Sequence, residues 1–505
     1  MAQSNVTPEF EIASNILSKN NISTILETDE ICRYNGGVFH RGKKSLSEIR
    51  ESITTEALNL LIPVGKTVKP YRCSTSKRHE IVELIKTHTF TSISEFDKED
   101  DCINLLNGTV KFQKPKMPGM NTIWADLSTH GIYAINDDAY FITHPEYNES
   151  PYKSLIQIPH TFNPDAECLE IDQFLTDIFG FNRVPDIYEM LAYLIMPTVK
   201  YQKAFILYGP PKTGKTSFIN LVNQFIGGNH KEKVISEVPL QDLDERFQIS
   251  NLRDKLVNIF DDLRSTKLTS QGRFRMSVTN PTITAEIKHI TEHVTWKNIC
   301  KHLFTCNQLP KVNKKVGDEF WRRWKLFDCY NIMEGEKHDI DFVNKRWSEA
   351  ELSGLLNKCI QAWIRLEKRK HFQDDDIEYI KGIWQMDIEP AKLFVEEKCE
   401  LSTGAEINVD LFWNTLNQWR KDYNATPITK TMLTQSLQRI SDKISKPKRR
   451  KGNIYVYEGI QFIEGVIKQE IDVETLQDIV VDNLDQYLEE AVESTRQESK
   501  REESG

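Results

Sequence analysis

The sequence predicts a multidomain α/β protein: a parallel-sheet core built on a phosphate-binding loop, an N-terminal α+β domain and a C-terminal winged helix. Three observations carry that expectation. Residues 203–228 read as an apolar strand, a glycine-framed loop and an amphipathic helix. From Ala204 to Tyr330 apolar strands with polar tips alternate with helical stretches, the pattern of a parallel sheet with ligands at its strand ends. Beyond residue 385 three short helical patterns precede two strands around a cationic tip.

Length and charge narrow the classes. The 505 residues suffice for three or four domains. With 39% hydrophobic and 28% charged residues and no run of membrane-spanning length, a soluble chain without a membrane partner is expected. Met1–Phe10 lacks a basic stretch and an apolar core, so no secretory signal is expected. The nine cysteines include no C-x-x-C pair, which argues against a zinc ribbon and a disulfide framework and suits a reducing cytoplasm. Residues 469–505 hold twelve acids and three bases, which accounts for the whole net charge of −9. The body is neutral in sum and free to carry basic patches.

Residues 1–150 read as the N-terminal α+β domain. Phe10–Leu26 has helical spacing, Arg33–Phe39 reads as a turn into a strand, and Ser76–Thr87 is a helix with Ile81, Leu84 and Ile85 on one face. Asn107-Gly108 between two apolar strands signals a two-residue hairpin. Lys77, Arg78, His79 and Lys86 fit either a nucleic-acid contact or a solvated helix face. Residues 151–200 form a helical collar, with helices at Leu169–Phe179, stopped by Gly180, and at Ile187–Met196, stopped by Pro197.

The core spans residues 201–334. Gly209-Pro210-Pro211-Lys212-Thr213-Gly214-Lys215-Thr216, followed by Ser217, is the G-x-x-x-x-G-K-[ST] pattern in its required strand–loop–helix setting. Gly209 and Gly214 let the backbone curl so that N–H groups converge on phosphate oxygens, and the helix opening at Lys215 adds its dipole. Lys215 is expected to reach the β/γ-phosphates, and the Thr216 hydroxyl to ligate Mg²⁺. A second strand, Lys255–Phe260, ends in Asp261-Asp262. One carboxylate there can hold the metal and its neighbour can orient or deprotonate water, although acids after a strand also serve as helix caps. A third strand, Leu303–Cys306, ends in Asn307, an amide placed for a γ-phosphate or for a turn. Thr282–His289 alternates and then ends in Lys288 and His289, which fit a phosphate-backbone grip or a solvated loop. Asp318–Lys325 wedges Arg322 and Arg323 between aromatics, placing an arginine for a neighbouring subunit's phosphate or for stacking on tryptophan.

Residues 335–384 are read as a helical segment, Trp347–Glu367, and a polar linker at Gln373–Asp376. Residues 385–465 are read as the winged helix, with helices at Ala391–Lys398, Val409–Tyr423 and Lys430–Ile440 and a tip carrying Lys448, Arg449, Arg450 and Lys451. DNA suits that charge, and protein docking is the other use of such a module. In the acidic tail, 466–505, Leu476, Ile479, Val480, Leu484, Tyr487, Leu488 and Val492 keep helical spacing.

Taken in order and spacing, these elements resemble a superfamily-three helicase of the AAA+ class. They are similar to the primase-helicases of satellite phages and archaeal plasmids and to the poxvirus primase-helicase. The stretches that carry the resemblance are Gly209–Thr216, Asn258–Leu263, Gly272-Arg273-Phe274, Ile283–His289, Phe304–Pro310 and Phe320–Lys325. More weakly, it extends to the Asn107-Gly108 hairpin, His160–Pro164 and Glu351–Leu356. It implies an N-terminal domain of the poxvirus primase-helicase type over 1–150. It also implies ATP and Mg²⁺, with Lys215 and Thr216 as the Walker A pair, Asp261 as the metal acid and Asn307 as sensor. Lys288 and His289 would sit at a pore hairpin on single-stranded DNA, and Arg322 or Arg323, with Arg322 favoured, would be the trans-acting finger. Asp262 stands where the family usually has Glu, which leaves the water-activating group open. The implied activity is an ATP-dependent hexameric DNA helicase for replication of a plasmid, virus or mobile element. It would act on single-stranded and forked DNA, in a prokaryotic host or at a viral replication site, with a separate primase or polymerase as a further partner. Residues 1–150 are too short for a primase-polymerase and show no metal-acid pair, so no primase activity is expected in this chain. Two rivals are a AAA+ initiator or loader that uses ATP as a switch without processive unwinding, and a AAA+ motor acting on protein.

Overall fold

The computed structural model describes residues 7–112, 132–136, 138–143, 153–230, 234–264, 268, 272–286, 293–312, 316–329, 331, 344–373, 376–388, 390–422, 428–450 and 454–463. The chain is a multidomain α/β protein with mixed sheets, one of them parallel, and divides into two compact units, Met1–Trp384 and Gln385–Gly505. No helix among the described residues is long and apolar enough to cross a membrane.

Helix α1 (Pro8–Lys19) starts where the Thr7 hydroxyl accepts from the Phe10 N–H. It stops short of the Leu26 its spacing suggests. Asn20 is extended, and the run Ile22–Ile25, with three β-branched residues in four, forms a wholly buried strand, β1. Strands β2 (Glu30–Asn35) and β3 (Val38–Arg41) pair across Gly36-Gly37. Helix α2 (Lys43–Asn59), a hairpin of β4 (Leu61–Val64) and β5 (Thr67–Pro70), α3 (Thr75–Thr89) and β6 (Phe90–Thr91) follow. The sheet order is β3-β2-β1-β6, while β4 and β5 pair only with each other. Ile12, Ile16, Ile49, Ile53, Ile81 and Ile85 join the three helices in one core.

A second sheet, ordered β7-β8-β10-β9, holds β7 (Cys102–Asn104), β8 (Gly108–Lys111), β9 (Ile132–Asn136) and β10 (Ala139–Thr143). The hairpin tip is Leu106-Asn107, one residue before the expected Asn107-Gly108, because Asn104 faces Thr109 and the Leu105 N–H donates to Gly108 O at 2.8 Å. Gly108 serves close packing: a Cβ there would stand 2.3 Å from Ile142 O. Asn107 instead ties the tip to Phe162, donating to its carbonyl and accepting from its N–H, both at 2.9 Å.

Helix α4 (Leu169–Phe179) ends at Gly180, whose φ of 76° suits glycine, and α5 (Val184–Ile195) is buried along nearly its whole length. The next run is β11 (Ala204–Tyr208), α6 (Lys215–Gly227), β12 (Ile235–Ser236), β13 (Val257–Phe260), α7 (Gly272–Thr279), β14 (Thr282–Glu286), β15 (His293–Lys297), β16 (Lys301–Cys306), the single turn α8 (Asp318–Trp321) and β17 (Trp324–Asp328). Five of these strands make one all-parallel sheet, ordered β12-β13-β16-β11-β17, and β14 and β15 form a separate hairpin. Because β16 lies between β11 and β13, the tips of those three strands are neighbours at the sheet's C-terminal edge.

Helix α9 (Glu349–Arg369), capped by Ser348, packs on α5 and brings two remote stretches together. Glu349 sits 2.9 Å from His160 Nδ1 and accepts from the Thr161 N–H, and Ser353 donates to Thr161 O. Gly354 lies so close that a Cβ would stand 2.2 Å from the Glu167 carbonyl carbon. Helix α10 (Ile377–Ile388) runs across residue 385, the expected start of the winged helix.

The second unit holds α11 (Pro390–Lys398), β18 (Cys399–Glu400), β19 (Glu406–Asn408), α12 (Val409–Asp422), α13 (Lys430–Ile440), β20 (Lys448–Arg449), β21 (Tyr455–Glu458) and β22 (Gln461–Phe462). Phe394, Phe412, Leu416, Leu437 and Tyr457 form its core, under a small antiparallel sheet ordered β19-β21-β20. Residues 466–505 lie outside the described residues.

Candidate functional site

Loop 209–214 joins β11 to α6 in conformations that its residues explain. Gly209 has φ 145°, and a Cβ there would stand 2.2 Å from Cys329 O. Gly214 has φ 83° and offers no side-chain cap, which leaves the first N–H groups of α6, at Lys215, Thr216 and Ser217, for an anion. Pro211 and Lys212 are exposed at the loop's outer side, and Lys212 takes φ 70°. Thr213 is buried and donates to Pro210 O at 3.0 Å.

Lys215 is 8% exposed. Its ammonium donates to Gly209 O at 2.8 Å, Pro210 O at 2.7 Å and Thr213 Oγ1 at 3.2 Å. These partners are all neutral, and burial pulls the Lys215 pKa below its ordinary value against the weaker pull of Asp261 and Asp262. An enclosed cation held only by two carbonyls and a hydroxyl is suited to an anionic ligand.

The acids stand at the tip of β13. Thr216 Oγ1 donates to Asp261 Oδ2 at 3.0 Å, so the expected metal-binding hydroxyl and carboxylate already touch. Thr305, at the end of β16, binds both acids: its hydroxyl donates to Asp261 Oδ1 and accepts from the Asp262 N–H at 2.9 Å. The Leu263 N–H donates to Thr305 O at 2.7 Å, completing the clamp. Asp262 is exposed, adopts φ 58°, and accepts from Asn307 Nδ2 at 3.3 Å. Among the described residues no group of three His, Cys, Asp or Glu side chains is arranged to hold a metal by itself. Asp261 and Thr216 therefore fit a cation that shares its shell with a ligand and water.

Thr305 is the residue that sequence reasoning missed. A threonine inside an apolar strand, two places before the polar tip, was its only signal.

The two arginines separate. Arg323 is 8% exposed, hydrogen-bonds to Gln202 Oε1, and is lowered in pKa by burial. Its guanidinium is thus engaged within its own chain, which makes it the less accessible of the two arginines. Arg322 is exposed; its backbone is held, the N–H donating to Asp318 O at 3.0 Å and the carbonyl accepting from Lys203 Nζ at 2.7 Å, while no hydrogen bond or ion pair engages its guanidinium among the described residues. Both precede β17, whose five residues pair in parallel with β11. They therefore lie at the opposite edge of the sheet from the loop, about 16 Å away along the strands.

The other expected contacts are divided. Lys288, His289 and Lys451 lie outside the described residues. Strands β14 and β15 pair from Thr282–Lys297 to Glu286–His293, and Lys297 anchors the hairpin's base on Asp97 O and Asp100 Oδ1, both at 2.5 Å. In the second unit Lys448 pairs with Glu458, and Arg450 with Glu406 and Glu458, while Arg449 is exposed. The cations of this tip are thus partly offset by acids on their own sheet, which the run of basic residues did not reveal.

Compared with known proteins, residues 27–180 match a family model described as D5 N terminal like. Residues 207–323 match a family of unknown function, DUF5906. No curated protein matches the chain. Among solved structures, the apo structure of the NrS-1 C terminal region (305–718) aligns with a TM-score of 0.44 at 12% identity, over 91% of this chain and 100% of that one. An A form apo structure of the same region aligns at 0.41 and 13%, over 90% and 100%.

Proposed function

We propose that this chain is an ATP-hydrolysing AAA+ motor of the superfamily-three type, assembled as a ring, that unwinds DNA during replication of a plasmid, virus or mobile element. The observation that carries the reading is the split site. Loop 209–214, the two acids and Asn307 gather at one edge of the parallel sheet, while Arg322 stands exposed at the other. An arginine so placed cannot serve the loop of its own subunit, but it can serve a neighbour's.

In this reading the N–H groups of loop 209–214 and of the start of α6 bind the phosphates of ATP, and Lys215 exchanges its loop carbonyls for the β/γ-phosphate oxygens. Thr216 and Asp261 hold Mg²⁺, which when bound offsets charge on the phosphates. Thr305 fixes the direction of Asp261. Asp262 and Asn307 orient the attacking water, with Asn307 compensating for a carboxylate one carbon shorter than Glu. The β14–β15 hairpin, with Lys288 and His289 between its strands, follows one DNA strand. The second unit, read as a winged helix, adds Arg449 and its neighbours as a further DNA contact. The match of residues 27–180 to a D5 N-terminal-like model is in keeping with the proposal.

Purified protein should hydrolyse ATP faster with single-stranded DNA and should unwind a forked duplex, and Lys215→Ala should abolish both activities. One observation favours a second reading: the short, exposed arm of Asp262 suits slow turnover, as in an initiator or loader that uses ATP as a switch. ATP binding with no DNA-stimulated turnover would select it.

A further inference from the structure

The chain crosses residues 57–79 with five Lys or Arg and no Asp or Glu. In the fold this segment is the end of α2, the β4–β5 hairpin and the start of α3. The hairpin stands clear of the core: of residues 61–70 only Ile62 is even partly covered. Its apolar side chains are open as well, with Leu61 61% and Val68 64% exposed. Lys77 is neutralised by Glu9 and Glu80. Among the described residues no ion pair engages Lys66, Lys69, Arg72 or Arg78.

We infer that the β4–β5 hairpin and the start of α3 form a nucleic-acid contact surface, separate from the β14–β15 hairpin and the second unit. Lys66, Lys69, Arg72 and Arg78 would meet phosphates, with Leu61 and Val68 against sugars or bases. Lysine and proline on an open strand edge also prevent stray strand pairing, which accounts for Lys69 and Pro70. It does not account for Arg72 and Arg78, which lie off the strands. A docking protein is disfavoured because the middle of a protein interface is depleted in lysine, whereas nucleic-acid interfaces are strongly basic. The register gives the hairpin two characters. Ile62 pairs with Lys69 and Val64 with Thr67 on one face, and Leu61 pairs with Pro70 and Pro63 with Val68 on the other. A cationic hairpin with an apolar face suits a groove, where apolar side chains reach between or beneath bases.

The test uses the full chain and a labelled forked duplex, with affinity measured by anisotropy across a salt series. Substituting Lys66→Ala, Lys69→Ala, Arg72→Ala and Arg78→Ala together should weaken binding at least tenfold near 0.1 M salt. It should also flatten the plot of log affinity against log salt by about 3.6, since each of the four lost phosphate contacts removes about 0.9 from a duplex slope. The variant should keep the wild-type circular dichroism spectrum and a melting temperature within a few degrees, because among the described residues none of the four side chains makes a hydrogen bond or ion pair and only Arg78 is partly covered. In the wild type, Lys66 and Lys69 should lose reactivity toward acetylation when the fork is added. An unchanged slope, or lysines equally reactive with and without DNA, overturns the inference. Cross-linking of those lysines to residues 469–505 in the DNA-free chain, undisturbed by DNA, also overturns it and assigns the surface to the acidic tail. The readout needs no ATP hydrolysis, so it stands or falls apart from the proposed motor.

Discussion

The Thr305 hydroxyl donates to Asp261 Oδ1 while accepting from the N–H of Asp262, so one side chain on β16 orients both acids at the tip of β13. Thr305→Val should lower ATP turnover about 10- to 100-fold while the ATP affinity stays within about threefold, because Lys215 and the loop amides are untouched. Thr305→Ser should recover most of the rate. A purely structural threonine would instead show equal loss of binding and turnover, with no rescue by serine.

Asp262 sits at φ 58°, a conformation that is unfavourable for a residue with a Cβ, by about 1 kcal/mol. The side chain is exposed, with one long hydrogen bond from Asn307. Asp262→Gly should therefore leave the melting temperature unchanged or slightly raised while ATP hydrolysis falls at least about 100-fold. Thermal melts beside a phosphate-release assay check this. A glycine variant that both melts early and keeps its rate would contradict the assignment of Asp262 to the water.

Gly354 lies inside α9, where alanine would ordinarily stabilise a helix by about 1 kcal/mol. Here a Cβ would collide with the backbone of Glu167 at 2.2 Å. Gly354→Ala should instead destabilise the protein by about 1–3 kcal/mol, and the reversed sign identifies the contact between α9 and the 160–168 segment as the cause. Chemical denaturation of the two proteins measures it.

Lys301 is fully buried at the start of β16, where its ammonium donates to Met196 O at 2.5 Å and Ile299 O at 2.8 Å. Burial lowers its pKa from the ordinary 10.5 to about 7. Between those values the unfolded chain binds the proton and the folded chain does not, so this group makes stability rise with pH from about 7 to 10.5. Lys301→Met should remove that rise. The difference in stability between wild type and variant, followed from pH 6.5 to 10, should grow in favour of the wild type. A constant difference would show that Lys301 keeps its proton in the fold.

Much of the sheet and of the loop was legible because it rests on local chemistry. An apolar run feeding Gly209, and Gly214 opening a helix, leave few alternatives. Gly180 ended α4 where its conformational freedom suggested. The departures arose where a distant partner decided. Ile22–Ile25 left the helical register because the strand pairs with β2 and β6. The Asn107-Gly108 turn moved by one residue because Gly108 is pressed against β10 and Asn107 is held by Phe162. Between Arg322 and Arg323 the sequence offered only a spacing that favoured Arg322, whereas burial separates the two directly. The Glu406 and Glu458 partners of the cationic tip come from other strands, beyond the reach of a charge count along the chain.

The central claim is that Arg322 of one subunit completes the Lys215 site of the next, and mixing two inactive variants tests it most directly. Lys215→Ala and Arg322→Ala should each hydrolyse ATP at about 1% of the wild-type rate or less. Co-assembled in equal amounts, they should recover up to about a quarter of the wild-type rate, because random mixing pairs an intact loop with an intact arginine at one seam in four. No recovery from a mixture shown to co-assemble, or full activity in a monomeric Arg322→Ala chain, would contradict the account.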